Sequence, residues 1–222
     1  MRVCARVRIA AALLLAATGA GCLPFSYEPR MSLGVSPERL PLRVEVHDLQ
    51  DVSPPEDRRR RLGGTSATAT DSLAGELSTQ VTDAILTSFR NDAVFSELRR
   101  RVGSPDLVMS GNIREFYAVS FLHPIALPAV FTFFPPFLGV PIYASEAGVD
   151  LEITFALPDG QRVATYAAAR QSSYWSSIYR MPFYGVGTDL NKLLSEVMLD
   201  VRQQMYADRE KLLRAERELT PE

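Results

Sequence analysis

Cysteine and histidine are nearly missing from this sequence, with two of each in 222 residues. So few ligands cannot build a four-coordinate zinc site at any usual spacing, and they leave little for thiol or imidazole catalysis. A basic surplus is missing as well. With 24 lysines and arginines against 26 carboxylates, the formal charge is −2, which gives no general electrostatic reason to bind nucleic acid. What is present is the balance of a folded chain, 46% hydrophobic and 23% charged, long enough for one domain with a sizeable core.

The first twenty-two residues divide like a secretory signal. Arg2, Arg6 and Arg8 form a positive leader, Ile9 to Ala17 is wholly apolar, and Thr18, Gly19, Ala20 and Gly21 are small. The apolar run spans about 14 Å as a helix, well short of a ~30 Å hydrocarbon core, so cleavage is the better reading than membrane spanning. Cys22 follows the small residues.

Small residues leading directly into a cysteine resemble the lipobox of bacterial lipoproteins, with Gly19 where that family usually has leucine. The resemblance implies that 1–21 is removed and that Cys22 becomes an acylated N-terminus carrying thioether-linked lipid and palmitate. Leu23 rather than aspartate after the cysteine implies, by the same resemblance, sorting to the outer membrane with the domain facing the periplasm. The alternative is an ordinary secreted protein cut near Ala20, with Cys22 a free thiol. Either cut removes Cys4 and the three leader arginines, leaving 21 basic residues against 26 acidic, a mature charge of −5. A chain without a disulfide must rely on its core.

Residues 22–39 hold Pro24, Gly34, Pro37 and several serines without a period of 2 or 3.6, and read as a lipidated tether. From 40 to 207 the pattern is that of an α+β domain. Leu42, Val44 and Val46 alternate with polar residues as a half-buried strand, with His47 on its polar face as a solvated histidine. Asp51 to Asp71 is a long polar loop containing Arg58 to Arg61, which would be solvated or would meet anionic headgroups. Leu73, Leu77, Val81, Ile85 and Phe89 form a helical stripe over 72–90, with Asp71 or Ser72 to cap it. A second short helical segment ends in Arg99, Arg100 and Arg101, where cations suit a helix C-terminus.

Two further strands alternate over 107–114 and 149–157, and Pro158-Asp159-Gly160 turns the chain into a fourth over 162–171. Asp150 and Glu152 share a strand face; an exposed face accounts for them better than a catalytic pair. Gly185-Val186-Gly187-Thr188 lacks both the lysine of a phosphate loop and the third glycine of a dinucleotide fingerprint. Leu190, Leu193, Leu194, Val197, Met198, Val201 and Met205 line a closing helix, and 208–222 is its charged extension or tail. The predicted architecture is therefore one small, mostly antiparallel four-stranded sheet packed on two long helices.

Between Glu115 and Glu146 thirty residues carry no carboxylate, lysine or arginine. This insertion, 116–145, separates the second and third strands. Phe121, Leu122, Ile125, Leu127, Val130, Phe131, Phe133, Phe134, Phe137 and Leu138 give it far more apolar surface than a loop needs, and they are the candidate membrane- or partner-contacting residues. Pro124, Pro128, Pro135, Pro136 and Pro141 disfavour a straight spanning helix, at about 3 kcal/mol each in a helix interior. A hairpin dipping into one leaflet fits, and so does a hydrophobic lid or a subunit interface in a homo-oligomer. Tyr174, Trp175, Tyr179, Phe183 and Tyr184 form a second aromatic segment, suited to a partner or to covering the core.

The order tether, strand, long helix, strand, hairpin, closing helix, over Leu40 to Ala207, resembles the small α+β outer-membrane lipoproteins that serve as accessory parts of envelope transport and assembly machines. The lipopolysaccharide-assembly lipoprotein and the auxiliary lipoproteins of lipid-transport ABC systems are the nearest types. The resemblance implies a non-enzymatic binding module with no cofactor beyond the lipid on Cys22, whose partners are the bilayer and an envelope protein. The alternatives are a subunit of an oligomeric secretion pore of the curli-export kind, a regulator of a cell-wall enzyme, and an envelope hydrolase using Asp150 and Glu152.

Overall fold

The computed structural model describes residues 28–56, 76–122, 143–176 and 182–219. Its strands are β1 (Leu40–Val46), β2 (Gln50–Asp51), β3 (Phe95–Arg99), β4 (Leu107–Leu122), β5 (Tyr143–Ala156) and β6 (Arg162–Ser176); its helices are α1 (Leu77–Asn91), α2 (Pro182–Ala207) and α3 (Arg209–Leu219). One mixed sheet runs in the order β3-β1-β4-β5-β6, and β2 pairs with β4 beyond the end of β1. β1 is parallel to both β3 and β4, whereas β4, β5 and β6 are antiparallel neighbours.

Helices cover one face only. On that face Met109, Ile113, Phe116, Val149, Leu151, Ile153 and Phe155 are buried against the α2 stripe Leu190, Leu194, Val197, Met198 and Val201, and α1 adds Val81, Ile85 and Phe89. Phe89, Phe95, Phe155 and Tyr166 follow one another with ring centroids 5.9–6.1 Å apart, linking α1 to the far edge of the sheet. The helical stripes and the alternating strands are thus where hydrophobic periodicity puts them.

Among the described residues, the four-stranded, mostly antiparallel sheet with two long helices needs correcting to a mixed sheet of six strands with three helices. Phe95–Arg99 is a strand, not a helical segment. Phe95 and Leu98, three apart, are its buried residues, a spacing that mimics a helical turn within five residues. β2 is too short to show a period, and His47 to Leu49 interrupt what would otherwise be one strand along β4. β4 and β5 run well into the uncharged stretch, taking 116–122 and 143–145 as strand, and β6 runs to Ser176 instead of stopping near Gln171. The segment after Ala207 is a separate helix held by buried Leu212. The helix expected over 72–90 begins only at Leu77, after Glu76 in extended conformation, so neither Asp71 nor Ser72 caps it; those two, Leu73 and Arg58 to Arg61 lie outside the described residues.

Because β3 and β4 flank β1, the link 100–106 must cross β1, and it does so on the face without helices. Asp106 Oδ2 accepts from the Arg43 main-chain N–H at 2.7 Å, its Oδ1 from the Arg43 guanidinium at 2.7 Å, and Glu45 Oε2 accepts from the Val102 N–H at 3.0 Å. Burial works against the Asp106 charge, but the side-chain and main-chain donors of Arg43 outweigh it and hold the carboxyl below its ordinary range. The β5–β6 turn closes as expected, with Gly160 at φ +93° and its N–H donating to Leu157 O at 2.9 Å.

Gly111 lies where β4 is pressed between β5 and Leu49: a Cβ there would sit 2.0 Å from Glu152 O and 2.9 Å from Leu49 Cδ2. Gly111→Ala is expected to destabilise the domain by about 3 kcal/mol, the upper end of overpacking, read as a lower urea midpoint. Tyr166 is 3% exposed and its hydroxyl has no hydrogen-bond partner. Burial, helped by the Asp208 charge, pushes its pKa up from the ordinary 10.0 to about 12. The unfolded chain therefore ionises first, and stability present below about pH 10 is lost as pH rises toward 12. Tyr166→Phe should flatten that alkaline loss in thermal melts and leave stability near pH 7 unchanged or raised.

Candidate functional site

Residues 28–38 do not hang from the domain; they are strapped along α2. Arg30 N–H donates to Asn191 Oδ1 at 2.9 Å, and Ser32 N–H to Ser195 Oγ at 3.4 Å. Arg202 donates to Leu33 O at 2.6 Å and to Gly34 O at 2.8 Å; Tyr206 donates to Glu38 O at 2.5 Å and also bonds Ser36 Oγ; Arg209 meets Glu38 Oε2 at 2.6 Å. Positions 191, 195, 202 and 206 lie on one stripe of α2, and Arg209 opens α3 just beyond it, so the segment runs parallel to α2. Leu33 is buried beneath it and joins the core.

Arg202 is the centre of this strap. It is 8% exposed, with Asp92 Oδ2 at the end of α1 3.7 Å away. Asp92 in turn accepts from the Ser36 N–H through its main-chain oxygen at 3.3 Å. The buried cation thus ties together the N-terminal segment, α1 and α2. An open cleft of about 720 Å³ remains between the strap and α1, lined by Glu28, Arg30, Met31, Gln80, Asp83 and Thr87 among others.

The direction of the strap fixes where the chain's start leaves the domain. Arg170 of β6 pairs with Asp200, and Ala167 O accepts from Gln204, so α2 runs antiparallel to β6 and begins at the end of the sheet where β6 finishes. β4 finishes and β5 starts at that same end, where Leu122 pairs with Tyr143 and Tyr143 with Ser176. Followed backwards, the strap reaches Glu28 on the side of the α2 N-terminus. The N-terminal segment, both ends of 123–142, and the 177–181 link all leave from one pole.

The sheet rows at that pole carry no charge, although the link 177–181 contains Arg180 and the strap brings Glu28 and Arg30 nearby. The last three cross-strand rows are Leu122–Tyr143–Ser176, Phe121–Ala144–Trp175 and Ser120–Ser145–Tyr174; the first charge, Glu146, is in the fourth. At the opposite pole lie Arg43, Glu97, Arg99, Arg100, Asp106, Asp159 and Arg162. The structure therefore gathers Phe121, Leu122, Tyr174 and Trp175 at one sheet end, and Phe183 and Tyr184 in the first turn of α2. Cys22, Ile125, Leu127, Val130, Phe131, Phe133, Phe134, Phe137, Leu138 and Tyr179 lie outside the described residues. The strap residues escaped sequence reading. Their signal was present as polar positions 191, 195, 202 and 206, which break the apolar pattern of the closing helix at helical spacing.

The face without helices carries the carboxylates. Glu152 accepts from Asn112 Nδ2 at 2.9 Å and pairs with Arg114, the extra residue of a bulge in β4. Asp150 stands opposite Glu115, which accepts from Gln171 at 3.2 Å. His47 lies exposed with Nε2 3.2 Å from Glu45. Among the described residues no group of three His, Cys, Asp or Glu side chains is placed to hold a metal ion, and no helix is long and apolar enough to cross a membrane.

No family model and no curated protein matches the sequence. The fold is shared with a solved protein of the DUF330 family from Xanthomonas campestris, at a TM-score of 0.51 and 10% identity over 83% of this chain and 98% of that one. Weaker likenesses are to a PelC dodecamer from Paraburkholderia phytofirmans, TM-score 0.35 and 12% identity over 79% and 92% of the two chains, and to a minor lipoprotein from Acinetobacter baumannii, TM-score 0.29 and 13% identity over 68% and 90%. The DUF330 likeness makes this architecture, a mixed sheet with helices on one face, a known one.

Removing the Arg202 guanidinium leaves the carbonyls of Leu33 and Gly34 without their donor and Asp92 without its cation. Arg202→Ala should cost about 2–3 kcal/mol of stability and bring early protease cleavage within 28–38, before the sheet is touched.

Proposed function

We propose that the chain is a lipid-anchored, non-enzymatic accessory module of the bacterial cell envelope, attached through acylated Cys22 at the outer membrane and facing the periplasm. One observation carries this reading: the segment leading back to Cys22 and both ends of the apolar stretch 123–142 leave the domain from the same pole, where the last three sheet rows carry no charge. A lipid at Cys22 and an apolar stretch between Leu122 and Tyr143 then act on one surface. Several acyl chains assisted by an apolar segment give stable attachment where a single chain would give a marginal one.

A binding role fits the rest of the molecule. Glu152 is held by Arg114 and Asn112, and Asp150 faces another carboxylate across an open sheet, which is not the enclosed setting that tunes a general acid or base. The helix-free face is left as a surface for a protein partner. The element order supports an accessory part in envelope transport or assembly, of the lipopolysaccharide-assembly or ABC-auxiliary kind.

Metabolic feeding with labelled palmitate should label the wild-type chain and leave Cys22→Ser unlabelled. Co-purification from gently solubilised membranes should recover an envelope protein with the wild type and lose it in a chain lacking 123–142. An unlabelled wild-type product would overturn the anchor, and unchanged recovery with the deletion would remove that stretch from the binding surface.

A further inference from the structure

Trp175 is the chain's one tryptophan, and it lies 54% exposed within the three uncharged sheet rows of this pole, in register with Ala144 and Phe121. Indole combines a large apolar body with one N–H donor, which suits the boundary between headgroups and acyl chains, where tryptophan and tyrosine concentrate. We infer that this pole rests on the bilayer with Trp175 seated at the headgroup level, the strands standing away from the membrane. The inference rests on the Cys22 anchor proposed above and adds the orientation of the domain and the residue that meets the lipid.

Chain length leaves little freedom for another orientation. From Cys22 to Arg30, which is pinned to Asn191, there are eight residues, an extended reach of about 28 Å. Asn191 is in the third turn of α2, about 14 Å along the axis from Pro182. β4 alone is 16 residues long, about 50 Å. An anchor of that reach, leaving beside the start of α2, cannot lay the far pole, with Asp159 and Arg162, against the membrane while the strap is closed. The charge pattern agrees. Three rows without charge, about 10 Å deep, come before Glu146, and the paired arginines and carboxylates of the far pole would lose hydration if that pole were buried.

An alternative occupant of the pole is a protein. Because the chain has one tryptophan, fluorescence separates the two directly. The mature lipidated protein is reconstituted in vesicles of phosphatidylethanolamine and phosphatidylglycerol, with or without lipids brominated near the top of the acyl chains, and bound protein is isolated by flotation. Trp175 emission is expected to shift to the blue, to fall by more than half with brominated lipid, and to become resistant to acrylamide. A reporter at the other pole, Arg162→Trp in a Trp175→Phe background, should float equally and remain unquenched by the lipid.

Flotation without lipid quenching of Trp175 would overturn the orientation and leave the Cys22 anchor standing. Failure to float would overturn both. Protection from acrylamide without quenching by brominated lipid would assign the pole to a protein interface and overturn the inference, as would equal quenching at both poles.

Discussion

A single buried guanidinium decides how this domain is connected to whatever precedes it. Arg202 on α2 is almost wholly removed from water, a costly placement unless its donors and charge find partners. The residues that use them come from outside the helix: the carbonyls of Leu33 and Gly34, and the carboxylate of Asp92 at the end of α1. The cost of burying the charge is offset only while 30–36 lies along α2, so the charge enforces the path of a segment that local sequence would leave free. Below Arg202, Asn191 and Ser195 hold the main chain of the strap; above it, Tyr206 and Arg209 hold Glu38 as the chain enters β1.

From that constraint follows a polarity along the long axis. β4, β5 and β6 extend past β1 and β3 as a three-stranded arm covered on one face by α2. Charge is concentrated where the arm joins the rest of the sheet, at the crossing of 100–106 over β1 and at the β5–β6 turn, and it disappears over the last rows. The crossing needs charge because it lays a polar link across a strand. Arg43, Glu45 and Asp106 supply its main-chain and side-chain partners. At the other end the strands present serine, alanine and aromatic residues. A small residue has a structural use three rows further in, where the Tyr117 ring lies over Gly148 and leaves no room for a Cβ, its Cε1 being 2.6 Å from where one would be.

What the sequence shows of this follows the range of the interactions. The stripe Val81, Ile85, Phe89 and the α2 set from Leu190 to Met205 are legible because burial on one helix face imposes a 3.6 period, and the β5–β6 hairpin is legible because Pro158-Asp159-Gly160 has few other uses. β3 is not, since a five-residue strand with Phe95 and Leu98 buried has no alternation to find, and its parallel pairing with β1 depends on residues fifty positions away. The ends of β4 and β5 are hidden for a different reason. Phe116 and Ala118 face the helices while Tyr117 and Val119 face away, so both sides are apolar or aromatic and the period of 2 vanishes. The six strands in their mixed order, and the common exit of three segments at one pole, are long-range facts. They depend on the register and on the strap, and neither is written in any local pattern.

The strap also changes what kind of device the N-terminal segment is. Without it, the chain from Cys22 to Leu40 would be an eighteen-residue leash with a reach of about 60 Å, longer than the domain, and a lipid at its end would hold the domain near a membrane without orienting it. With 30–38 bound to α2, the leash shortens by more than half, and its origin moves from the base of β1 to the far end of the molecule, beside the aromatic rows. Hydrogen bonds remote from any lipid, centred on Arg202, thereby select which pole an anchored domain turns toward the surface. In the anchored arrangement proposed above, opening the strap would lengthen the leash and release that choice at once, so attachment through Cys22 and orientation through Arg202 would be separable properties.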